Sequence, residues 1–102
     1  MNPTKKPYQA ATLTYESAIE PIADELYSKR VLEEGSRVFH AKGNDSTAEK
    51  LKRCAEGQDT RAWAFAEFVA KLFGLSRIDV RRDANERAAE MYMEGWNVYR
   101  VV

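Results

Sequence analysis

The chain has 102 residues, of which 44% are hydrophobic and 31% are charged, and its 16 basic residues balance its 16 acidic ones. A chain of this length forms one domain, and a net charge of zero gives no overall attraction to nucleic acid or to an anionic membrane. No apolar run approaches the roughly 18 residues that span a bilayer, and the polar N-terminal residues do not resemble a signal peptide. The single cysteine, Cys54, cannot form an internal disulfide, which suits a reducing compartment. We therefore predict one globular domain in the cytoplasm that does not enter a membrane.

The N-terminal part of the chain is predicted to be an extended arm followed by a helix. Residues 1–14 show no helical period, and Tyr8 and Leu13 can pin them to the core. A helix is predicted over residues 18–34, because apolar side chains then recur at intervals of three and four residues. Gly35 can adopt the left-handed conformation that ends a helix, and it is the predicted stop.

Capping residues predict where the helices begin. Ser17 and Glu20 have the spacing at which a hydroxyl and a carboxylate each accept a hydrogen bond from an amide at the helix start, and Ser46 and Glu49 repeat that spacing. Single glycines stand at the predicted helix ends. The further helices predicted in this way are residues 47–56, 61–73 and 77–94.

Two short segments are compatible with more than one structure. Residues 36–43 fit either a short helix or a short strand, and we favour a helix. Residues 96–102 are rich in β-branched and aromatic side chains, which suits an extended tail or a short edge strand. The sequence thus predicts an all-α domain, a small bundle of four to five helices with an extended N-terminal arm and a short C-terminal tail.

The predicted helix 61–73 is apolar around most of its circumference. A helix of this kind is usually the central one, surrounded by its neighbours. We therefore expect its apolar side chains to be wrapped by the other helices, and they are Trp63, Phe65, Ala66, Phe68, Val69, Leu72 and Phe73.

The sequence contains no recognisable catalytic or metal-binding set. Nucleophilic catalysis needs a nucleophile, a base and an orienting group, and neither His40 nor Cys54 lies in a known catalytic signature. A structural zinc site usually needs four Cys or His ligands, and the five isolated glycines form no phosphate-binding loop. We therefore expect no enzymatic activity, no metal and no cofactor, with Cys54 as a small buried side chain and His40 at the surface or in an interface.

Acidic residues are concentrated in the first predicted helix. Residues 16–34 contain six acids and two bases, a local charge of 2 − 6 = −4. A line of like charges on one helix face is usually solvated and is unfavourable for the helix. A contact surface for a basic partner explains it better than an acid–base pair, and tyrosine is a common interface residue. The predicted protein-contacting residues are Glu16, Glu20, Asp24 and Tyr27.

Residues 66–85 (AEFVAKLFGLSRIDVRRDAN) resemble the helix-turn-helix segment of bacterial DNA-binding regulators. Ala70 matches the small residue of that family that faces the second helix, Gly74 the turn glycine and Val80 the β-branched core residue. The resemblance implies that the helix after Gly74 lies in the major groove of DNA. The DNA-contacting residues that it implies are Ser76, Arg77, Arg81, Arg82 and Asn85. The same pattern also fits an ordinary C-cap glycine followed by an N-cap serine between two helices of a bundle.

Two functions therefore remain open from the sequence. The first is a non-enzymatic interaction protein that binds a protein partner and modulates or inhibits it. The second is a DNA-binding transcriptional regulator or an excision-type factor. Self-association into a homodimer through Met91, Met93 and Trp96 is compatible with either function.

Overall fold

The computed structural model describes residues 13–96, which form three α-helices followed by one turn of π-helix. The prediction of an all-helical domain is confirmed, but the described residues contain three helices rather than four to five. Residues 1–12, which include Tyr8 and most of the predicted arm, and residues 97–102, most of the predicted tail, lie outside the described range. Of Gly95 and Trp96 only the backbone is described. The elements are α1 (Tyr15–Ala41), α2 (Asp45–Phe73), α3 (Arg77–Met91) and the π-turn (Tyr92–Trp96).

Two of the glycines predicted to end helices lie inside them. Gly35 is buried within α1, and Gly57 is exposed within α2. Only Gly43 and Gly74 have positive φ among the described residues, at 83° and 67°. A glycine ends a helix only where it adopts that left-handed conformation, and packing of α1 against α2 favours continuous helices over both other glycines.

The helix bounds change accordingly. The predicted helix 18–34 and the ambiguous segment 36–43 belong to one helix, α1, which runs to Ala41. The predicted helices 47–56 and 61–73 are likewise one helix, α2, of 29 residues. The predicted helix 77–94 ends at Met91, where the backbone continues as the π-turn.

The first helix begins three residues before the predicted capping box. Thr14 is its N-cap, since the Thr14 hydroxyl accepts a hydrogen bond from the Ser17 amide at 3.1 Å and the Ser17 hydroxyl accepts one from the Thr14 amide at 3.1 Å. Because α1 starts at Tyr15, Pro21 lies almost two turns into the helix. A proline there cannot donate to the carbonyl of the residue four positions earlier, which destabilises a helix.

The connection between α2 and α3 has the predicted caps. Gly74 ends α2 in the left-handed conformation. The Ser76 hydroxyl accepts hydrogen bonds from the amides of Ile78 and Asp79, at 3.0 and 3.4 Å. The first connection is equally short, and there Asn44 caps α2 by accepting from the Thr47 amide at 3.2 Å.

Gly57 and Gly74 should respond in opposite ways to alanine. Gly57→Ala is expected to raise the free energy of unfolding by about 0.5–1 kcal/mol, because Gly57 is helical and a Cβ there would meet nothing within 4 Å. Gly74→Ala is expected to lower it by about 1 kcal/mol, since an alanine at positive φ is strained. Urea unfolding of both variants measures the two effects. A loss of stability in Gly57→Ala would contradict a continuous α2.

The core lies at one end of an elongated molecule. α1 and α2 are each about 40 Å long and form an antiparallel hairpin, whereas α3 is about 22 Å long. α3 therefore covers only about half the length of the α1–α2 hairpin. Alanines provide much of the contact between the helices. The core residues are Ala18, Ile19, Ile22, Ala23, Leu26, Ala62, Ala66, Val69, Ala70, Val80, Ala84, Ala88 and Met91. No helix in the described range is long and apolar enough to cross a bilayer.

A hydrogen bond between side chains joins the start of α1 to α3. The Tyr15 hydroxyl donates to the Asp83 carboxylate at 2.6 Å, and the Tyr15 ring packs edge-on against Phe73 with centroids 5.5 Å apart. Burial of the phenol, followed by the hydrogen bond to Asp83, raises the pKa of Tyr15 from 10.0 to about 12.

This shift predicts how stability responds to alkaline pH. The folded state binds the Tyr15 proton more tightly than the unfolded state, so the stabilisation is complete below pH 10 and is lost as the pH rises from 10 to about 12. Wild type should be more stable than Tyr15→Phe at pH 8, and the difference should shrink between pH 10 and 12. Urea unfolding of both proteins across this range checks the prediction, and a constant difference would contradict it.

Candidate protein-binding groove

The α1–α2 pair is covered by α3 on only one of its two sides. On that side, Trp63 of α2 lies beneath two guanidinium groups of α3, those of Arg77 at 5.3 Å and Arg81 at 4.4 Å from the ring centroid. Phe65 follows Trp63 by two residues and therefore lies about 200° further around the helix. Within residues 13–96, no third helix covers the side of the pair on which Phe65 lies.

An apolar groove, which we call the α1–α2 groove, runs along this uncovered side and has a volume of about 300 Å³. Ile22 and Val69 lie deepest, since both are buried. The more exposed lining residues are Leu13, Ser17 and Pro21 on the α1 side and Phe65, Phe68 and Leu72 on the α2 side. Four of these side chains are large and apolar, and their exposed fractions are 63% for Phe68, 56% for Leu13, 53% for Leu72 and 40% for Phe65.

The prediction that neighbouring helices surround segment 61–73 is therefore wrong for one face of α2. Ala62, Ala66 and Ala70 are buried in the core, whereas Phe65 and Phe68 are exposed. The reason is the number of helices. Because α2 is continuous through Gly57, it has only two helical neighbours within residues 13–96, and two helices cannot cover its whole circumference.

Four of the seven large apolar side chains that are exposed in the described range line this one groove, whereas Leu75, Ile78 and Met93 lie elsewhere. Together the four large side chains of the α1–α2 groove present an apolar surface on the order of a few hundred Å². Contiguous patches of this size on a protein commonly mark an interaction site. The groove is therefore the part of the described surface best suited to bind another molecule.

None of the four predicted protein-contacting residues lines this groove. Asp24 is three positions after the groove residue Pro21, which makes it a neighbour on the helix surface, whereas Glu16 and Glu20 lie further round α1 and Glu20 faces α3. The Arg87 Nε lies 3.3 Å from both carboxylate oxygens of Glu20. Glu16 and Asp24 form no ion pair with any residue in the described range.

The carboxylate of Asp24 is held in an unfavourable environment. Partial burial raises its pKa above the ordinary value, and the nearby carboxylates of Glu20 and Glu25 raise it further. The ionised form of Asp24 therefore costs the folded state free energy at neutral pH, and that cost disappears as the pH falls through the raised pKa.

Removing this charge is expected to stabilise the protein slightly. Asp24→Asn should raise the midpoint of thermal unfolding at pH 7, by a small amount because the carboxylate is only partly buried and solvent screens much of its charge. Asp79→Asn is the matched control and should lower the midpoint, because Asp79 lies in the first turn of α3 and pairs with Arg82 at 2.9 Å. Differential scanning calorimetry compares the two variants, and a destabilised Asp24→Asn would contradict the assignment.

Tyr27, the fourth predicted protein-contacting residue, lies outside the groove. Its side chain is half-buried and lines a separate hollow with Val31, Leu32 and Gln58. Burial, followed by the neighbouring Tyr92, raises the pKa of the Tyr27 phenol.

The residues implied as DNA contacts make contacts within the protein. Ser76 caps α3, Arg77 and Arg81 lie over Trp63, and Arg81 also pairs with Asp59. Arg82 and Asn85 also contact side chains of this protein. The guanidinium of Arg82 contacts Asp79 at 2.9 Å and Asp83 at 3.7 Å, and Asn85 accepts a hydrogen bond from Arg30 at 3.4 Å.

The structure also shows the exposure of the cysteine, the histidine and two of the methionines. Cys54 is exposed, so the prediction that it is a buried side chain is wrong. His40 is exposed, and its Nδ1 lies 2.8 Å from an Asp45 carboxylate oxygen. Met91, predicted to contribute to self-association, is buried in the core, whereas Met93 is exposed. No group of three or more His, Cys, Asp or Glu side chains in the described range could hold a metal ion.

The exposed face formed by Phe65, Phe68 and Leu72 was not anticipated from the sequence. The relevant signal is present, because a helix that is apolar on all sides needs neighbours on all sides. Whether enough neighbours exist depends on the number of helices, and that number depends on whether Gly57 interrupts α2.

No protein-family model, curated protein or solved structure matches this chain.

Proposed function

We propose that this protein is a non-enzymatic interaction protein, which binds an amphipathic helix of a partner protein in the α1–α2 groove. The observation that carries the proposal is the single patch formed by Leu13, Phe65, Phe68 and Leu72, all large, apolar and exposed. Burying such a patch against an apolar partner surface removes it from water, which favours association.

A helix is the partner element that suits this groove. Two antiparallel helices form its walls, so a helix laid between them occupies the place of a further helix in a bundle. Phe65, Phe68 and Leu72 lie at i, i+3 and i+7 along α2, a stretch of about 10 Å. A partner helix presents its own anchors at the same spacing when it binds in a groove.

Asp24, which neighbours the groove residue Pro21 on α1, favours a partner helix with a basic flank. Its carboxylate forms no ion pair within the described range. A lysine or arginine on one flank of the bound helix would lie near this carboxylate. Charges at the rim of an interface contribute to orientation and association rate more than to affinity.

This mode of binding explains how the protein would act without a catalytic set. A partner helix held in the groove is withdrawn from its other contacts, so the partner is modulated or inhibited by occupation alone.

Photo-crosslinking from the groove tests the proposal. A benzoyl-phenylalanine placed at Phe68 is irradiated in native lysate treated with nuclease, and the crosslinked peptide is sequenced. The matched control carries the same group at Met93, which is exposed in the π-turn. The expected product is specific to position 68 and is a peptide with apolar residues at helical spacing and basic residues on one flank. A crosslink to a second copy of this chain, a peptide with an acidic flank, or no product specific to position 68 would overturn the proposal.

DNA binding by α3 is a second candidate, favoured by the local structure around Gly74. Ala70 and Val80 are buried and Gly74 is left-handed, an arrangement that the resemblance to helix-turn-helix proteins requires. A gel shift on duplex DNA should then weaken steeply with salt. It should also be lost in the variant Arg77→Ala plus Arg82→Ala, which changes two exposed side chains. Absence of a shift at low salt would exclude this candidate.

A further inference from the structure

A polar cleft of about 300 Å³ lies between the C-terminal half of α1 and α3. We call it the basic cleft, because its lining side chains include four cations and one carboxylate. The cations are Lys29, Arg30, Arg37 and Arg81, and the carboxylate is that of Glu33. We infer that the basic cleft binds the terminal phosphate group of a small phosphorylated molecule.

Three of the four cations already have carboxylate partners. Lys29 pairs with Glu33 at 2.8 Å, Arg37 pairs with Glu34 one turn earlier on α1, and Arg81 pairs with Asp59 of α2. The charge of Glu33, the carboxylate that lines the cleft, is therefore compensated by Lys29.

Arg30 is the exception. Its guanidinium donates to the neutral Asn85 side chain at 3.4 Å, and no carboxylate in the described range forms an ion pair with it. The residue is half-buried, and a guanidinium has five N–H donors in a planar fork. A guanidinium with most of its donors unmatched by side chains in the described range favours an anion with several acceptor oxygens.

A phosphate group suits this arrangement better than a carboxylate does. It carries nearly two negative charges near neutral pH and three acceptor oxygens, which match the guanidinium fork. Arg37 lies two turns after Arg30 on the same face of α1, and its pair with Glu34 is exposed, so exchanging that pair for a phosphate costs little. Asn85 lines the same cleft, and its amide group can donate to a further phosphate oxygen.

The position of the cleft favours a terminal phosphate over the backbone of a nucleic acid. The cleft lies between two helices, and the Arg81 side chain that lines it is only 17% exposed. A terminal phosphate projects from its molecule and has the higher charge. A phosphodiester has one charge and is flanked on both sides by sugars.

Binding of inorganic pyrophosphate, a compact compound with terminal phosphates, tests the inference. Isothermal titration at constant ionic strength should show saturable binding, and thermal unfolding should shift upward with pyrophosphate concentration. Arg30→Gln is expected to weaken binding at least tenfold. Arg53→Gln is the matched control, since Arg53 is exposed and pairs with Glu49 on α2 away from the cleft. It should leave the affinity unchanged.

Three outcomes would overturn the inference. They are the absence of saturable binding, equal affinity in wild type and Arg30→Gln with both folded by circular dichroism, and displacement of pyrophosphate by duplex DNA at lower phosphate concentration. The last outcome would assign the cleft to nucleic acid. None of these results depends on the α1–α2 groove, so the test is independent of the proposed protein partner.

Discussion

Replacing Ile22 with alanine is expected to lower the free energy of unfolding by about 2–5 kcal/mol, the usual cost of removing a large side chain from a core. Ile22 and Val80 are the largest side chains that are fully buried, and alanines make up much of the remaining core. The loss should fall within this range, because the Ile22 side chain is fully buried at the bottom of the α1–α2 groove. Urea unfolding followed by circular dichroism at 222 nm measures it.

The control for Ile22→Ala is Phe68→Ala, a larger truncation at an exposed position. Because Phe68 is 63% exposed, its removal should change the free energy of unfolding by less than about 1 kcal/mol. If the two variants lost similar stability, the α1–α2 groove would have to be covered in the free protein, and the assignment of an open groove would be wrong.

Replacing Phe68 with glutamate is expected to abolish binding of a helical peptide in the α1–α2 groove. A carboxylate at this position would have to be desolvated against the leucines of the bound peptide, which costs free energy. The probe is a fluorescent peptide of about 18 residues with leucines on one face and lysines on one flank. Fluorescence anisotropy should show at least tenfold weaker binding to Phe68→Glu than to wild type.

Two controls make this result specific to the groove. Met93→Glu introduces the same charge at another exposed apolar residue and should leave the affinity unchanged. A second peptide, with glutamates in place of the flanking lysines, should bind wild type at least tenfold more weakly, and Asp24→Asn should reduce the difference between the two peptides. Equal affinity for both peptides would contradict recognition of a basic flank.

The residues that end or begin helices were predictable where local chemistry alone decides the conformation. Gly74 and Ser76 act within a few residues of themselves, and both have the predicted capping roles. Gly35 and Gly57 have the same intrinsic freedom, yet both are helical. Their conformation depends on packing between α1 and α2, which involves residues far apart in the sequence.

The acidic face of α1 was predictable for a similar reason. Glu16, Glu20 and Asp24 share a helix face because their spacing places them there. Which of them is neutralised depended on the position of α3, since Arg87 pairs with Glu20 and leaves Asp24 without an ion pair in the described range.

The sequence by itself determined the helical fold, the caps of the last connection and the acidic face of α1, because each follows from periodicity or from chemistry within one helical turn. Only the tertiary structure decided that α2 is uninterrupted, that Phe65, Phe68 and Leu72 face solvent, and that Arg77 and Arg81 lie over Trp63. These features depend on how many helices are available to cover one another. That number is fixed by the free energy of packing over the whole chain rather than by any single residue.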